Sequence, residues 1–370
     1  MSKVNRILFV VQNAEPFQSG RARQACKIAD RLENQGIKVD ILSLDYESTE
    51  VKNTRINYRK SIYDARSNYA FLLLICLRYR YKAVHFHGFN YLVGMTNLLK
   101  PLGIRCILNM SCKSFDTPSM LTTFEWLGDW QRKALNRVDH WIVQNPSDLD
   151  DRYSTYYLPN IVEMPSKMIP WEERSLNIIN IGVVCPRKNQ LALIKSFQAK
   201  PAFRERGFKL IFCGSFAGNY EEYDKDYVDA CLALAKNDSS IEFLGHLDQG
   251  ELHKVMSNAR YFTAMSEREG LSNAYLECLA NGLRPIIDAE QYDDLFPTLE
   301  LVEEAIHWQA NKLVDERIFN TDWPYKSISE KVRDHFSEDV IMPKLLALYH
   351  LNKDSEKATL EFGRHLKQAK

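Results

Sequence analysis

Short runs rich in valine, isoleucine, leucine and phenylalanine alternate along this chain with stretches whose apolar residues recur every three or four positions. The first run, residues 7–11, reads as a buried strand. A turn at Gln18-Ser19-Gly20 leads from it into an amphipathic helix over about 21–34, which Gly36 ends. The alternation continues with a strand at 39–44, a helix near 69–79, a strand at 83–86, a helix near 91–99 and strands at 104–110, 140–143 and 156–158. Three prolines between Pro159 and Pro170 interrupt the pattern and mark a linker. Strands then recur at 176–184, 208–213, 241–243, 261–265 and 285–288, with helices at 190–197, 223–236 and 251–257 and a short one after Asn273. Residues 298–370 read as mostly helical, with a break at Trp323-Pro324. Continuous apolar strands belong to parallel sheets covered on both faces, so the expected class is α/β: two tandem doubly wound, Rossmann-like domains with C-terminal helices. Sheets of this kind bind ligands at the C-terminal ends of their strands, which makes a cleft between the two domains the default active site.

Residues 266–282 carry the most specific chemistry. The strand at 261–265 ends in Met265-Ser266, and a polar turn holding Glu269 and Gly270 leads to Ser272 and Asn273, both good N-caps. The apolar segment that follows stops at Asn281-Gly282. A strand-to-helix turn presents unpaired N–H groups and the positive end of the helix dipole, which suits a phosphate. Glu277 lies four residues beyond Asn273, one helical turn along the same face, and brings a second carboxylate towards Glu269. Two acids beside an anion site call for a ligand with hydroxyls as well as phosphates, such as a ribose or a hexose.

Composition narrows the partners. The chain has 370 residues, enough for two domains, and lysine plus arginine equals aspartate plus glutamate at 48 each. Residues 1–170 hold 23 basic and 16 acidic side chains, and the remainder holds 25 and 32, so the two parts are oppositely biased. The eight cysteines are scattered without a C-x-x-C pair, as buried reduced thiols are, and no structural zinc is expected. The run at 7–11 is too short for a signal-peptide core and the run at 71–77 is too short to span a bilayer, which points to a cytoplasmic protein. Residues 52–82 contain eight basic side chains against one acid, Asp64, interleaved with five tyrosines and Phe71. Such a segment either docks on an anionic membrane face or acceptor or is a solvated charged surface. Nucleic acid is not expected as a partner, because the chain is neutral overall and has no nucleic-acid-binding motif.

Glu269-Gly-Leu-Ser-Asn-Ala-Tyr-Leu-Glu277, followed by Cys-Leu-Ala-Asn-Gly-Leu-Arg-Pro285, closely resembles the E-x(7)-E signature of the retaining glycosyltransferases of family 4, which have the two-domain GT-B fold. By the same resemblance Gly182-Val-Val-Cys-Pro-Arg187-Lys188 is the turn in which a lysine holds the donor diphosphate. Lys188 matches, the usual arginine position is Val183, and Arg187, four residues on, either takes that arginine's place or leaves it unfilled. Taken alone, Arg187-Lys188 also reads as a solvated helix start. Gly214 resembles the strand-end glycine near the nucleotide, and His246 and Leu247 the segment along the base; each also reads as part of an ordinary turn. In the first domain Gly20 takes the place of a glycine-rich turn. His85 and His87 share one side of their strand, and His87 is the nearer to its C-terminal end; a core histidine is the alternative. The family's histidine near the donor sugar is replaced at Asn109-Met-Ser111-Cys112, so Ser111 or Cys112 holds its place.

The resemblance implies an acceptor domain over 1–165, a nucleotide-sugar donor domain over 171–340 and a helical tail over 341–370. The activity implied is a retaining, metal-independent transfer from a UDP- or GDP-linked sugar to a glycan, lipid-linked or other hydroxyl acceptor, in polysaccharide or glycoconjugate synthesis. No cofactor beyond the donor is implied. Lys188, Arg187 and Glu269 would act at the reacting end of the donor, with Gly270, Leu271, Ser272, Asn273 and Glu277 around its phosphates and ribose. A sugar-nucleotide epimerase and a catalytically silent glycan- or nucleotide-binding protein are the alternatives.

Overall fold

The computed structural model describes residues 5–11, 20–44, 65–110, 118–123, 125, 127–216, 223–266, 271–288, 301–302, 305–309, 312–313, 316–319 and 322–349. The chain divides into two compact units, Met1–Ile161 with Glu338–Lys370, and Val162–Ser337.

The first unit is built on six strands: β1 (Arg6–Val11), β2 (Lys38–Ser43), β3 (Ala83–His87), β4 (Arg105–Asn109), β5 (His140–Val143) and β6 (Thr155–Tyr157). They run parallel in the order β2-β1-β3-β4-β5-β6. Every residue of β3 is buried, as expected of a strand with helices on both faces. On one face Ala25, Ile28 and Leu32 of the Gly20–Asn34 helix pack with Ile341, Leu345 and Tyr349 of the Glu338–Tyr349 helix. The other face is covered by the Ala65–Tyr79 helix, the segment 91–102 and the Asp129–Leu135 helix.

The helix expected near 91–99 is instead a 3-10 turn (Tyr91–Met95), one α-turn (Thr96–Leu99) and a second 3-10 turn (Lys100–Leu102). Asn90 tightens the start by accepting from the N–H of Leu92 at 2.9 Å. Pro101 has no N–H with which to continue an α-helix. The last described helix begins at Glu338, ahead of the tail expected at 341–370, and belongs with the first unit. Arg31 Nε donates to Glu338 Oε2 at 2.7 Å, and Arg105 Nη1 to the carbonyl of Tyr349 at 3.1 Å. Residues 350–370 lie outside the described part.

The second unit has seven strands: β7 (Ser175–Ile181), β8 (Lys209–Cys213), β9 (Ile241–Gly245), β10 (Ala259–Ala264), β11 (Arg284–Asp288), β12 (Ile306–Gln309) and β13 (Lys312–Leu313). Their order is β13-β12-β11-β10-β7-β8-β9, parallel except for the β12–β13 pair. The described part of 298–370 is mostly helical, as expected, with helices at Tyr325–Phe336 and Glu338–Tyr349, and β12 and β13 add two short strands that the pattern did not show. Ile306 pairs with Ile286 of β11, a neighbour that only the folded sheet supplies. The order β9-β8-β7-β10-β11-β12 is that of a doubly wound nucleotide-binding sheet, with the winding direction reversing between β7 and β10. Among the described residues no helix is long and apolar enough to cross a membrane.

Candidate active site

The site of the second unit is a gap between two neighbouring strands. The β7–β10 ladder ends at Ile179 and Phe262, while β7 stays paired with β8 as far as Ile181 and β10 with β11 as far as Ala264. β7 and β10 therefore separate over their last two residues. Asn180 bridges the start of the gap by donating its side-chain amide to the carbonyl of Thr263 at 3.0 Å. Beyond it lies a small cavity lined by Ile181, Lys188, Ser266, Ser272, Tyr275 and Cys278, among others, with about 20 Å³ open to the centre of a water molecule. That is room for one water. Ligands of doubly wound sheets bind in this crevice, where the order reverses.

Residues 182–189 make one wall. The N–H of Gly182 donates to Cys213 O at 2.9 Å and that of Val184 to Ser215 O at 3.1 Å, so the chain follows the end of β8 before turning away. Gln190, fully buried, donates from Nε2 to Val183 O at 2.9 Å and accepts from the N–H of Cys185 at 3.4 Å. The hydroxyl of Tyr227 accepts from the N–H of Leu191 at 3.0 Å, in place of a capping side chain at Asn189. Held in this way, the turn lays Lys188 across Gly182. A Cβ on Gly182 would stand 3.4 Å from Lys188 Cε. Gly214 serves the same close approach, because a Cβ there would fall 1.8 Å from the carbonyl oxygen of Gly182.

The other wall is the Asn273–Ala280 helix. Ser272 is its N-cap residue, but contrary to expectation the hydroxyl makes no capping bond and Ser272 lines the cavity instead. The C-terminal stop is as expected. Gly282 has φ +72°, its N–H donates to Leu279 O at 2.8 Å, and that of Leu283 donates to Cys278 O at 3.1 Å. Carbonyls at this end are bonded to side chains distant in sequence: Ser329 Oγ donates to Ala280 O, Arg174 Nη1 to Asn281 O and Trp323 Nε1 to Gly282 O. A guanidinium at the negative end of a helix is also favoured by its dipole. The site helix is thus held firmly at the end away from the cavity.

Among the residues singled out from the sequence, Lys188 and Ser272 line the cavity together. Asn273 and Glu277 lie on the site helix, one turn apart, and Leu271 is buried just ahead of it. Arg187 is half-buried in the Pro186–Lys188 turn. His246 is exposed and Leu247 half-buried after β9, and neither lines the cavity. In the first unit Gly20 begins the helix after β1 and His87 ends β3. Glu269, Gly270, Ser111 and Cys112 lie outside the described residues. Asn180, Thr263, Gln190 and Tyr227 were not anticipated. Their partners sit in other elements, and no local motif announces them.

Burial pushes the thiol of Cys213 up to about 12 and that of Cys278 well above its ordinary value, which leaves neither as a nucleophile at neutral pH. In the first unit His85 and His87 stack at 4.1 Å, and Nδ1 of His85 is 2.7 Å from the hydroxyl of Tyr349. His85 is thereby a core histidine.

Two sheets of these orders, each wrapped by helices, make the fold GT-B. Residues 166–292 match the family model "Glycosyl transferases group 1", a span that contains both walls of the cavity and makes the second unit a glycosyltransferase domain. Among curated proteins none matches the chain. Among solved structures it is similar to sucrose-phosphate synthase from Thermosynechococcus elongatus, with 14% identity over 94% of this chain and 98% of that one and a TM-score of 0.69. A glycosyltransferase from Rickettsia africae aligns at 13% identity, 94% and 98% coverage and a TM-score of 0.70. The Anabaena protein HepE, in complex with UDP and glucose, aligns at 14% identity, 94% and 99% coverage and a TM-score of 0.63. These likenesses show a common fold.

Proposed function

We propose that this protein transfers a sugar from a nucleotide donor, a UDP-linked one before a GDP-linked one, to a hydroxyl of a glycan or lipid-linked acceptor, with retention of configuration and without a metal. The observation that carries this reading is the cavity between β7 and β10, where Lys188 meets the first turn of the Asn273–Ala280 helix. An ammonium and a helix N-terminus on opposite walls suit a diphosphate seated over the mouth of the crevice, since the cavity itself has room for one water only. In that role Lys188, with Arg187 beside it, stabilises the charge that develops on the departing nucleotide diphosphate, the work a divalent cation does elsewhere. Glu277 receives the ribose hydroxyls and Glu269 those of the sugar, following the resemblance of the 269–277 segment. The first unit takes the acceptor near Gly20 and Ser111, at the ends of its strands; His87 is buried against His85 and supports the site from beneath. The preference for UDP follows HepE, whose structure holds UDP and glucose.

The test is a thermal-unfolding screen against UDP, GDP and ADP and their common sugars, followed by product analysis. A nucleotide at about 100 times its Kd stabilises by about 2.7 kcal/mol, a readily measured shift. Transfer to an acceptor with an unchanged anomeric configuration and a rate insensitive to chelator is the expected result. Failure of every nucleotide to bind would overturn the assignment.

A further inference from the structure

The Ala65–Tyr79 helix has two apolar faces, of which the first unit uses one. Leu72, Ile75 and Cys76 are buried in the core. On the opposite side Ala70, Leu74 and Leu77 follow one another at helical spacing, with Leu74 63% and Leu77 54% exposed, while Leu73 on the flank packs partly against the core. A helix that is apolar all round ordinarily lies inside a protein or against lipid. The same helical layer exposes Leu98, Leu102 and Trp130. Trp130 stands near the N-terminal part of the helix: a Cβ on Gly94 would meet both the hydroxyl of Tyr69 and the indole of Trp130.

The charge along this helix and the segment that follows it has one sign. The chain holds no aspartate or glutamate between Asp64 and Asp116. Arg78, Arg80 and Lys82 follow the exposed leucines directly and are all exposed. Exposed leucines followed directly by exposed arginine and lysine have the chemistry of a surface that inserts shallowly among headgroups and is retained there by negative charge.

We infer that the outer face of the Ala65–Tyr79 helix, with the Arg78, Arg80 and Lys82 cluster at its end, docks on a bilayer containing anionic phospholipid. The segment 52–64, also basic in sequence, lies outside the described residues.

The experiment is co-sedimentation of the purified full chain with vesicles of phosphatidylcholine alone and of phosphatidylcholine mixed with phosphatidylglycerol. Wild-type protein is expected to pellet with the mixed vesicles and much less with phosphatidylcholine, and to be released as salt rises. Arg78→Gln with Lys82→Gln should cut the partition coefficient on mixed vesicles about 25-fold, at about fivefold per charge. Leu74→Glu with Leu77→Glu should abolish pelleting, with the unfolding temperature checked because both side chains are exposed. Leu74→Ser with Leu77→Ser, which adds no charge, should weaken pelleting on both vesicle types. The proposal is overturned if wild type ignores the anionic vesicles, or if the leucine variants bind as well as wild type. It is equally overturned if wild type is a dimer that the leucine variants convert to a monomer, since the face would then belong to a second copy of the chain.

Discussion

Asn180 of β7 donates its side-chain amide to the backbone carbonyl of Thr263 on β10 at 3.0 Å, at the point where the ladder between these strands has already ended. One side chain thus closes the ladder and sets the mouth of the cavity. Asn180→Leu leaves the buried carbonyl of Thr263 without this donor, and such a loss costs about 1–3 kcal/mol. Urea unfolding should show that loss, and the folded variant should bind donor nucleotide more weakly. Wild-type stability together with wild-type affinity would remove Asn180 from the architecture of the site.

Lys188 lies across Gly182 at the cavity wall. If it stabilises the leaving diphosphate, Lys188→Ala should lower kcat on the order of 10²–10³, the scale for removing one preorganised charge stabiliser. Steady-state kinetics on purified variant and wild type is the measurement. Unchanged turnover would exclude the role, whereas a rise in KM alone would mean that Lys188 binds donor and transition state equally.

Gly214 has no room for a side chain, because the obstructing atom is the backbone oxygen of Gly182 rather than the tip of a flexible residue. Gly214→Ala must push β8 and the 182–189 turn apart, at a cost of at least the ~1–3 kcal/mol usual for overpacking. Thermal unfolding should show the fall, and Lys188 should lose function with it. Gly207, where an added Cβ meets nothing although φ is +79°, is the control, with a cost limited to backbone strain.

His85 is buried, and burial together with the neighbouring His87 holds it well below the ordinary histidine value of 6.5. Below about pH 6.5 the unfolded chain therefore binds a proton at this position that the folded protein does not. The stability present above that value is lost as the pH falls, by up to about 1.4 kcal/mol per pH unit for one group. Unfolding measured at about pH 7.5, 6.5 and 5.5 should show a small loss from this group in the first interval, about 0.3 kcal/mol, and about 1 kcal/mol in the second. His85→Leu should flatten the fall; an unchanged slope would assign it to another residue.

How much could be read in advance depended on the range of each interaction. Apolar periodicity, a glycine at φ +72° ending a helix and a strand-to-helix turn rich in capping residues are local, and from them the two doubly wound sheets and the helix at 273–280 were legible. Ser272 shows the limit of that reasoning, since its N-cap position was legible and the missing capping bond was not. β12 and β13 escaped because short strands declare themselves only beside β11, and the last helix gave no sign in sequence that Arg31, His85 and Arg105 of the first unit would receive it. The amino-acid sequence by itself determined the α/β alternation, the pair of Rossmann-like sheets and the chemistry on offer at Lys188 and in the 269–277 segment. Only the tertiary structure decided that β7 and β10 part at Asn180, that Gln190 and Tyr227 hold the Lys188 turn, and that Arg174, Trp323 and Ser329 anchor the far end of the site helix. Those contacts join residues 7 to 107 positions apart, and the energy that selects them appears only when the sheet has brought their elements together.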